Sequence, residues 1–102
     1  MIDLATLKQD DFAPFVDESF ELRAESGGTI EAVLARLLSR GGDPAPGSSR
    51  VPFSAFFRGP ATPILPQQIC HVRHPTMGEM AIFLVPVGTE GGGGMLYEAV
   101  FS

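Results

Sequence analysis

The sequence predicts a mainly β, single-domain protein: an antiparallel six-stranded barrel or sandwich with a short N-terminal helix. Two hairpin patterns in the second half carry most of this prediction. Apolar and β-branched residues at 67–74 meet the turn HPTMG and return as EMAIFLVPV, and TEGGGG then separates that run from MLYEAVF. Apolar runs on both sides of a short turn with Gly or Pro are typical of antiparallel strand pairs.

Length and composition favour one β-rich domain over residues 1–102. A chain of 102 residues has the usual size of a single domain and can bury one core without disulfides. Its 44% hydrophobic and 19% charged residues are typical of a globular protein. Eight Phe, one Tyr and no Trp mean that phenylalanine must supply much of the core. Twelve Gly and nine Pro indicate many turns, as an all-β domain needs.

A short helix is predicted over about residues 6–12. Thr6 can cap its first turn, and Gln9 stands three residues later, as in a capping box. Pro14 ends the helix because proline lacks the backbone N–H that a helix interior needs. We expect this helix to cover one open end of the sheet.

Three further strands are predicted in the first half. Residues 18–25 and 51–57 alternate between apolar and polar or small side chains, as half-buried strands do. Residues 29–38 are ambiguous: their composition favours a helix, whereas the turn at 27–28 favours a strand paired with 18–25. The residues alone leave this choice open.

Two segments between the strands are predicted to be irregular. Residues 39–50 are rich in Gly, Pro and Ser, and we expect a mobile tether there. Residues 58–67 hold three prolines within a short stretch, so they cannot form a full ladder of hydrogen bonds. We therefore expect this second segment to cross an end of the sheet in an extended conformation.

Five short motifs resemble a family of small bacterial domains of unknown function. They are FSAFFRGP, LPQ, HPTMG, FLVPVG and YEAVF, and the resemblance covers about residues 12–102. It implies a single β-rich domain with a β-branched strand at 29–38, which decides that ambiguous segment in favour of a strand. The family brings no established activity, cofactor or catalytic residue to this chain.

Charge and targeting signals limit the possible partners and localisation of the protein. The net charge is −5; residues 1–35 hold eight acids and two bases, and residues 36–73 hold five arginines and one acid. Phosphate backbones would be repelled by the acidic whole, so no nucleic-acid partner is expected. We also expect no membrane partner, because no apolar run approaches the roughly 20 residues of a membrane helix. One cysteine and no signal-peptide pattern indicate a cytoplasmic protein.

The residues that could carry chemistry do not form a recognisable site. Cys70, His71 and His74 are close in sequence, but the first two point to opposite faces of a strand, and so do the two histidines. No metal, cofactor or catalytic residue is therefore predicted, and Cys70 is expected to be a buried, unreactive thiol. The glycines at 91–94 lack the Lys and Ser/Thr of a phosphate loop and are interpreted as a hairpin tip.

These observations favour a non-catalytic structural or protein-interaction module in a bacterial assembly. Its partner would be another protein or a second copy of the chain, giving a homo-oligomer. Phe56 alternates with Phe53 and Phe57 along one strand, so its side chain is expected on the other face, exposed at an interface.

The alternative is a small-ligand-binding barrel or a minor enzyme with a site near Arg58, His74 and Tyr97. Arg58 follows an aromatic strand at a Gly-Pro corner, where a guanidinium can bind a carboxylate of a ligand. The favoured interpretation of Arg58 is structural: an ion pair with Glu79 or Glu98 that fixes the corner.

Overall fold

The computed structural model describes residues 2–25, 27–41, 50–89 and 93–102. Its strands are β1 (Ser19–Ala24), β2 (Thr29–Ser39), β3 (Phe53–Gly59), β4 (Gln68–His74), β5 (Gly78–Thr89) and β6 (Met95–Phe101). Every neighbouring pair is antiparallel, and the strands close into one barrel in the order β1-β2-β3-β6-β5-β4. The predicted fold is confirmed, and of its two forms the barrel is the one observed.

The ambiguous segment at residues 29–38 is a strand. In β2 the side chains of Ile30, Ala32 and Leu34 are buried and alternate with more exposed ones. The first half of β2 pairs with β1 and its second half with β3. Pairing with one neighbour or the other along the strand outweighs the modest helix propensity of Ala, Leu and Arg, which amounts to a few tenths of a kcal/mol per residue.

The two longest strands are bent. The register of β2 shifts between Leu34 and Arg36, and that of β5 shifts between Pro86 and Gly88. Residues 78–84 of β5 pair with β4, whereas residues 85–89 pair with β6. Because a bulge bends the strand that carries it, each long strand can turn a corner of the barrel.

Phenylalanine fills much of the interior, as composition predicted. The rings of Phe53 and Phe101 stack with their centroids 4.7 Å apart. Phe20 and Phe57 meet edge to face at 5.3 Å. Both arrangements are favourable for aromatic pairs and add to the burial of apolar area.

The N-terminal helix is shorter than predicted. The α-helix α1 covers only Gln9–Phe12, with a 3₁₀ turn on each side, at Leu4–Thr6 and Ala13–Phe15. Its first residue follows Lys8, whose backbone N–H donates to the Asp11 carboxylate at 2.8 Å. The predicted cap, Thr6, instead donates its hydroxyl to the carbonyl of Asp3 at 2.9 Å. An acid at the third helical position thus starts the helix later than the Thr6 pattern indicated.

This N-terminal segment covers one end of the barrel, as predicted. Phe12 is fully buried, and its ring centroid lies 6.0 Å from that of Phe53 and 5.6 Å from that of Phe101. Arg50 holds the segment from outside by donating to the carbonyl oxygens of Leu4 and Leu7. The N-terminal segment, which we call the plug, is therefore attached to the barrel through both apolar packing and hydrogen bonds.

Residues 60–67 cross the opposite end, as predicted, whereas the first two residues of the predicted crossing, Arg58 and Gly59, belong to β3. They connect β3 to β4, which lie on opposite sides of the barrel and are not neighbours. Leu65 points into the core from this segment, and its N–H donates to the hydroxyl oxygen of Tyr97 at 2.9 Å. Residues 42–49 of the predicted tether and 90–92 of the predicted hairpin tip lie outside the described residues.

Candidate functional site

The residues of the predicted ligand site lie in three separate places. His74 ends β4 beside the N-terminal plug, whereas Tyr97 lies near the opposite end, where residues 60–67 cross. Arg58 is next to Phe57, whose side chain is fully buried, so alternation along β3 points Arg58 outwards. The groove beside Arg58 has a volume of about 310 Å³ and includes neither His74 nor Tyr97. The structure does not bring the three together, and their ligand role stays a prediction.

His74 is committed to the turn between β4 and β5. Its side chain is 4% exposed, and its Nε2 atom lies 2.8 Å from a carboxylate oxygen of Glu18. Its Nδ1 atom accepts the backbone N–H groups of Thr76 at 3.0 Å and Met77 at 3.2 Å. Because Nδ1 accepts twice, the ring proton belongs on Nε2, where it is donated to Glu18. Both ring nitrogens of His74 therefore have hydrogen-bond partners within the protein.

One of the two carboxylates expected for Arg58, that of Glu98, binds other side chains. The carboxylate of Glu98 accepts from the Ser54 hydroxyl at 2.7 Å and from the Arg40 guanidinium at 2.9 Å. Arg40 also donates to the Ser54 oxygen, at 3.0 Å. We call Arg40, Ser54 and Glu98 the outer triad, since Ser54 and Glu98 lie on the outer face of β3 and β6 and Arg40 directly follows β2. It supplies the partners that the fully buried Ser54 hydroxyl requires.

Cys70 is buried, as predicted. Its side chain points into the barrel and is 1% exposed. Burial raises the pKa of the thiol, and the nearby charge of Glu25 raises it further. A raised pKa lowers the thiolate fraction, and the thiolate is the nucleophilic form of cysteine.

The outer face of β1, β4 and β5 is charged. In the strand register Glu21 stands opposite Arg73, and Arg73 stands opposite Glu79. His71 lies on the same face, with its Nδ1 atom 3.7 Å from a carboxylate oxygen of Glu79. Within the part of the chain that the structure describes, no three His, Cys, Asp or Glu side chains cluster closely enough to hold a metal ion. Mixed charges on a sheet face of this kind favour contact with water.

Phe56 is less exposed than predicted. Its side chain does point outwards, as alternation along β3 requires, but it is only 7% exposed. The guanidinium of Arg36 lies 4.7 Å above the ring centroid, a cation–π arrangement that covers the ring. A single strand pattern does not reveal a cover supplied by the neighbouring strand β2. Whether Phe56 contacts a partner stays a prediction.

Four other apolar side chains are exposed on the outer face, and we call this set the apolar row. Leu38 and Val100 flank Ser54 in the register of β2, β3 and β6. Ile69 and Phe83 stand opposite each other on β4 and β5. The four side chains are 47–54% exposed. Large apolar patches that monomers leave exposed are often functional.

The sequence analysis missed this row. Its clearest signal was the run AIFLVPV in β5, which is apolar at inward and outward positions alike. A strand with one face in water usually alternates with polar residues, so Phe83 and Val85 break the expected pattern. The other members come from three different strands, and only the observed register places Leu38 and Val100 on either side of Ser54 and Ile69 opposite Phe83.

Residues 7–101 match a family model described as "Domain of unknown function (DUF6916)". The chain belongs to this family. No curated protein and no solved structure matches the chain. Membership in DUF6916 confirms the resemblance to a family of unknown function and assigns no chemistry to any residue. Among the described residues, no helix has the length and hydropathy to cross a bilayer.

Proposed function

We propose that this DUF6916 domain is a non-catalytic protein-interaction module of a bacterial assembly. The observation that carries the proposal is the apolar row, four large side chains that stay about half exposed on one outer face. Covering such side chains with a partner is favourable by about 25 cal/mol for each Å² of apolar area removed from water.

The arrangement of the rest of the barrel supports the same role. The interior is packed with side chains such as Phe20, Phe57 and Tyr97, which are at most 1% exposed. Both barrel ends are covered by segments of the same chain, and His74 is used in a turn. The outer surface is therefore the part of the described structure that is best suited to a partner.

The proposed partner is a protein: a second copy of the chain or another component of the assembly. The net charge of −5 and the carboxylates on the charged outer face support a partner other than nucleic acid or an acidic membrane surface. One buried cysteine supports a cytoplasmic setting, because the domain needs no oxidising compartment to fold.

Sedimentation velocity over a wide concentration range tests whether the domain associates with itself. We expect Ile69→Thr to weaken association, because it removes apolar area from the row while keeping a β-branched side chain. Ile64→Thr is the matched control, since Ile64 is 52% exposed but lies outside the row, in the segment that crosses the barrel end. Equal association of both variants would contradict the proposed surface.

If the protein is strictly monomeric, the partner to be tested is a different protein of the host cell. The wild type and the two variants are then compared by quantitative co-purification from host cells. The proposal expects specific components to be lost with Ile69→Thr and kept with Ile64→Thr. A monomer that recovers the same components with every variant would refute the interaction role of the row.

A further inference from the structure

The barrel has an incompletely paired seam between β5 and β6. The register joins Val85 to Glu98, and pairing continues from there only toward the β5–β6 hairpin. On the other side of this pair, residues 78–84 of β5 and residues 99–101 of β6 continue as strands but are not paired with each other. β5 is still paired with β4 along residues 78–84, so only one of its edges is open.

The backbone groups of β5 show which residues face the seam. Ile2 donates its N–H to the carbonyl of Glu79 at 2.9 Å, from the side of β5 that is not occupied by β4. Backbone directions repeat every second residue along a strand. Ala81 and Phe83 therefore direct their N–H and C=O groups into the seam, like Glu79 before them and Val85 after them.

A groove of about 440 Å³ lies along this edge. Phe83 and Val85 line it from β5, and Val100 and Phe101 line it from β6. Leu4 of the N-terminal segment also lines it. The groove thus lies beside backbone groups of β5 that have no backbone partner among the described residues. Its lining is mainly apolar, with Phe83 and Val100 from the apolar row, and it also includes the charged side chains of Arg50 and Glu98.

We propose that the β5 edge between Glu79 and Val85 binds a short extended segment of a partner protein by strand addition. In this mode backbone hydrogen bonds supply affinity, and pockets for alternate side chains supply specificity. The inference rests on the proposed interaction role. It specifies the partner segment as an extended backbone with apolar side chains at alternate positions.

The backbone contacts at the two ends of the seam favour a short partner segment. Ile2 occupies the edge at Glu79, and Glu98 occupies it at Val85. The distance between those two positions along β5 is roughly 20 Å, at about 3.3 Å per residue. About five extended residues fill that gap, whereas a long strand on the edge of another barrel would meet the chain's own backbone at both ends. The Ile2 rung also shows that this edge accepts an N–H from a passing backbone.

Amide hydrogen exchange measured by NMR tests the open edge in the free protein. We expect the amides of Ala81 and Phe83 to exchange rapidly. Met80 and Ile82 are internal controls on the same strand, and their amides should exchange slowly because they face β4. Slow exchange at all four positions would overturn the inference, since the edge would already be paired.

Strand addition itself is tested with a displayed library of random short peptides selected on the folded protein. We expect enrichment of peptides with apolar residues at alternate positions, and their binding should protect the amides of Ala81 and Phe83 from exchange. N-methylation of the peptide at residues facing β5 should weaken binding roughly tenfold or more, because two hydrogen bonds are lost. Methylation at the intervening residues is the matched control and should change affinity little.

Three results would overturn strand addition. They are the absence of any selected peptide, binding that leaves both amides unprotected, and equal weakening by both methylation patterns. If the amides of Ala81 and Phe83 become protected without peptide, and more so at higher protein concentration, the edge binds a second copy of the chain instead. If Ile69→Thr weakens association while the two amides do not respond, the interaction role stands and strand addition fails.

Discussion

Removing the aromatic ring of Phe12 should destabilise the barrel more than any exposed substitution. Phe12 is 0% exposed and its ring contacts those of Phe53 and Phe101, although it lies in a helix of only four residues. So short a helix has little stability of its own and depends on tertiary packing. Phe12→Ala should therefore leave a cavity at the barrel end and release the segment that covers it.

The expected loss is about 3–5 kcal/mol, the usual cost of replacing a buried Phe by Ala. A domain of this size has a total stability of roughly 5–15 kcal/mol, so the loss is a large part of the whole. At about 4–8 °C per kcal/mol, the unfolding midpoint should fall by about 12–40 °C. Urea unfolding and thermal melting, both followed by far-ultraviolet circular dichroism, measure these two quantities.

Phe83→Ala is the matched control, because it deletes the same ring from a position that is 52% exposed. Its cost should be well below that of Phe12→Ala, within about 1 kcal/mol, since exposed substitutions are usually mild. A loss below about 1 kcal/mol for Phe12→Ala, or equal losses for the two variants, would refute the interpretation of the N-terminal segment as part of the core.

Three further predictions concern a polar contact, a glycine and the thiol. Ser54→Ala should cost about 1–2 kcal/mol in urea unfolding, because Glu98 loses the hydroxyl that donates to it at 2.7 Å. Gly94→Ala should cost about 1–3 kcal/mol, since a Cβ there would lie 2.5 Å from a backbone oxygen of β3, whereas Gly28→Ala meets nothing within 4 Å and should be nearly neutral. The raised pKa of Cys70 means that the native state holds the thiol proton more tightly than the unfolded chain, so this contribution to stability is complete below pH 9.0 and is lost as the pH rises above it. Unfolding free energies measured across that range should therefore fall more steeply for the wild type than for Cys70→Ala.

Much of the fold could be predicted because its signals are local. The turn HPTMG predicted the hairpin that His74 and Gly78 close, and alternation placed Phe20 and Leu22 inside. The crossing at 60–67 followed from its prolines. These features depend on backbone chemistry and on a period of two, which a single sequence displays.

The candidate site could not be predicted in the same way, because it depends on register. Alternation placed Phe56 on the outer face, but its cover comes from Arg36 on another strand. Leu38 and Val100 are far apart in sequence and lie on the same part of the outer face only because both pair with Ser54. Propensity and periodicity describe one strand at a time, so neither indicates which outer side chains become neighbours.

The open seam follows from the way this barrel closes. A sheet of six strands closes only if some strands bend, and β5 bends where Pro86 and Gly88 interrupt its register with β6. Proline cannot donate to the ladder, and strands tolerate it mainly at edges and bulges. Beyond this shift Val85 and Pro86 still pair with Glu98 and Tyr97, and the rest of β5 then pairs with β4 alone. Because β5 changes its partner from β6 to β4 along its length, the backbone groups of Ala81 and Phe83 have no neighbour in β6, and the closure of the fold itself supplies the edge that we propose as a binding site.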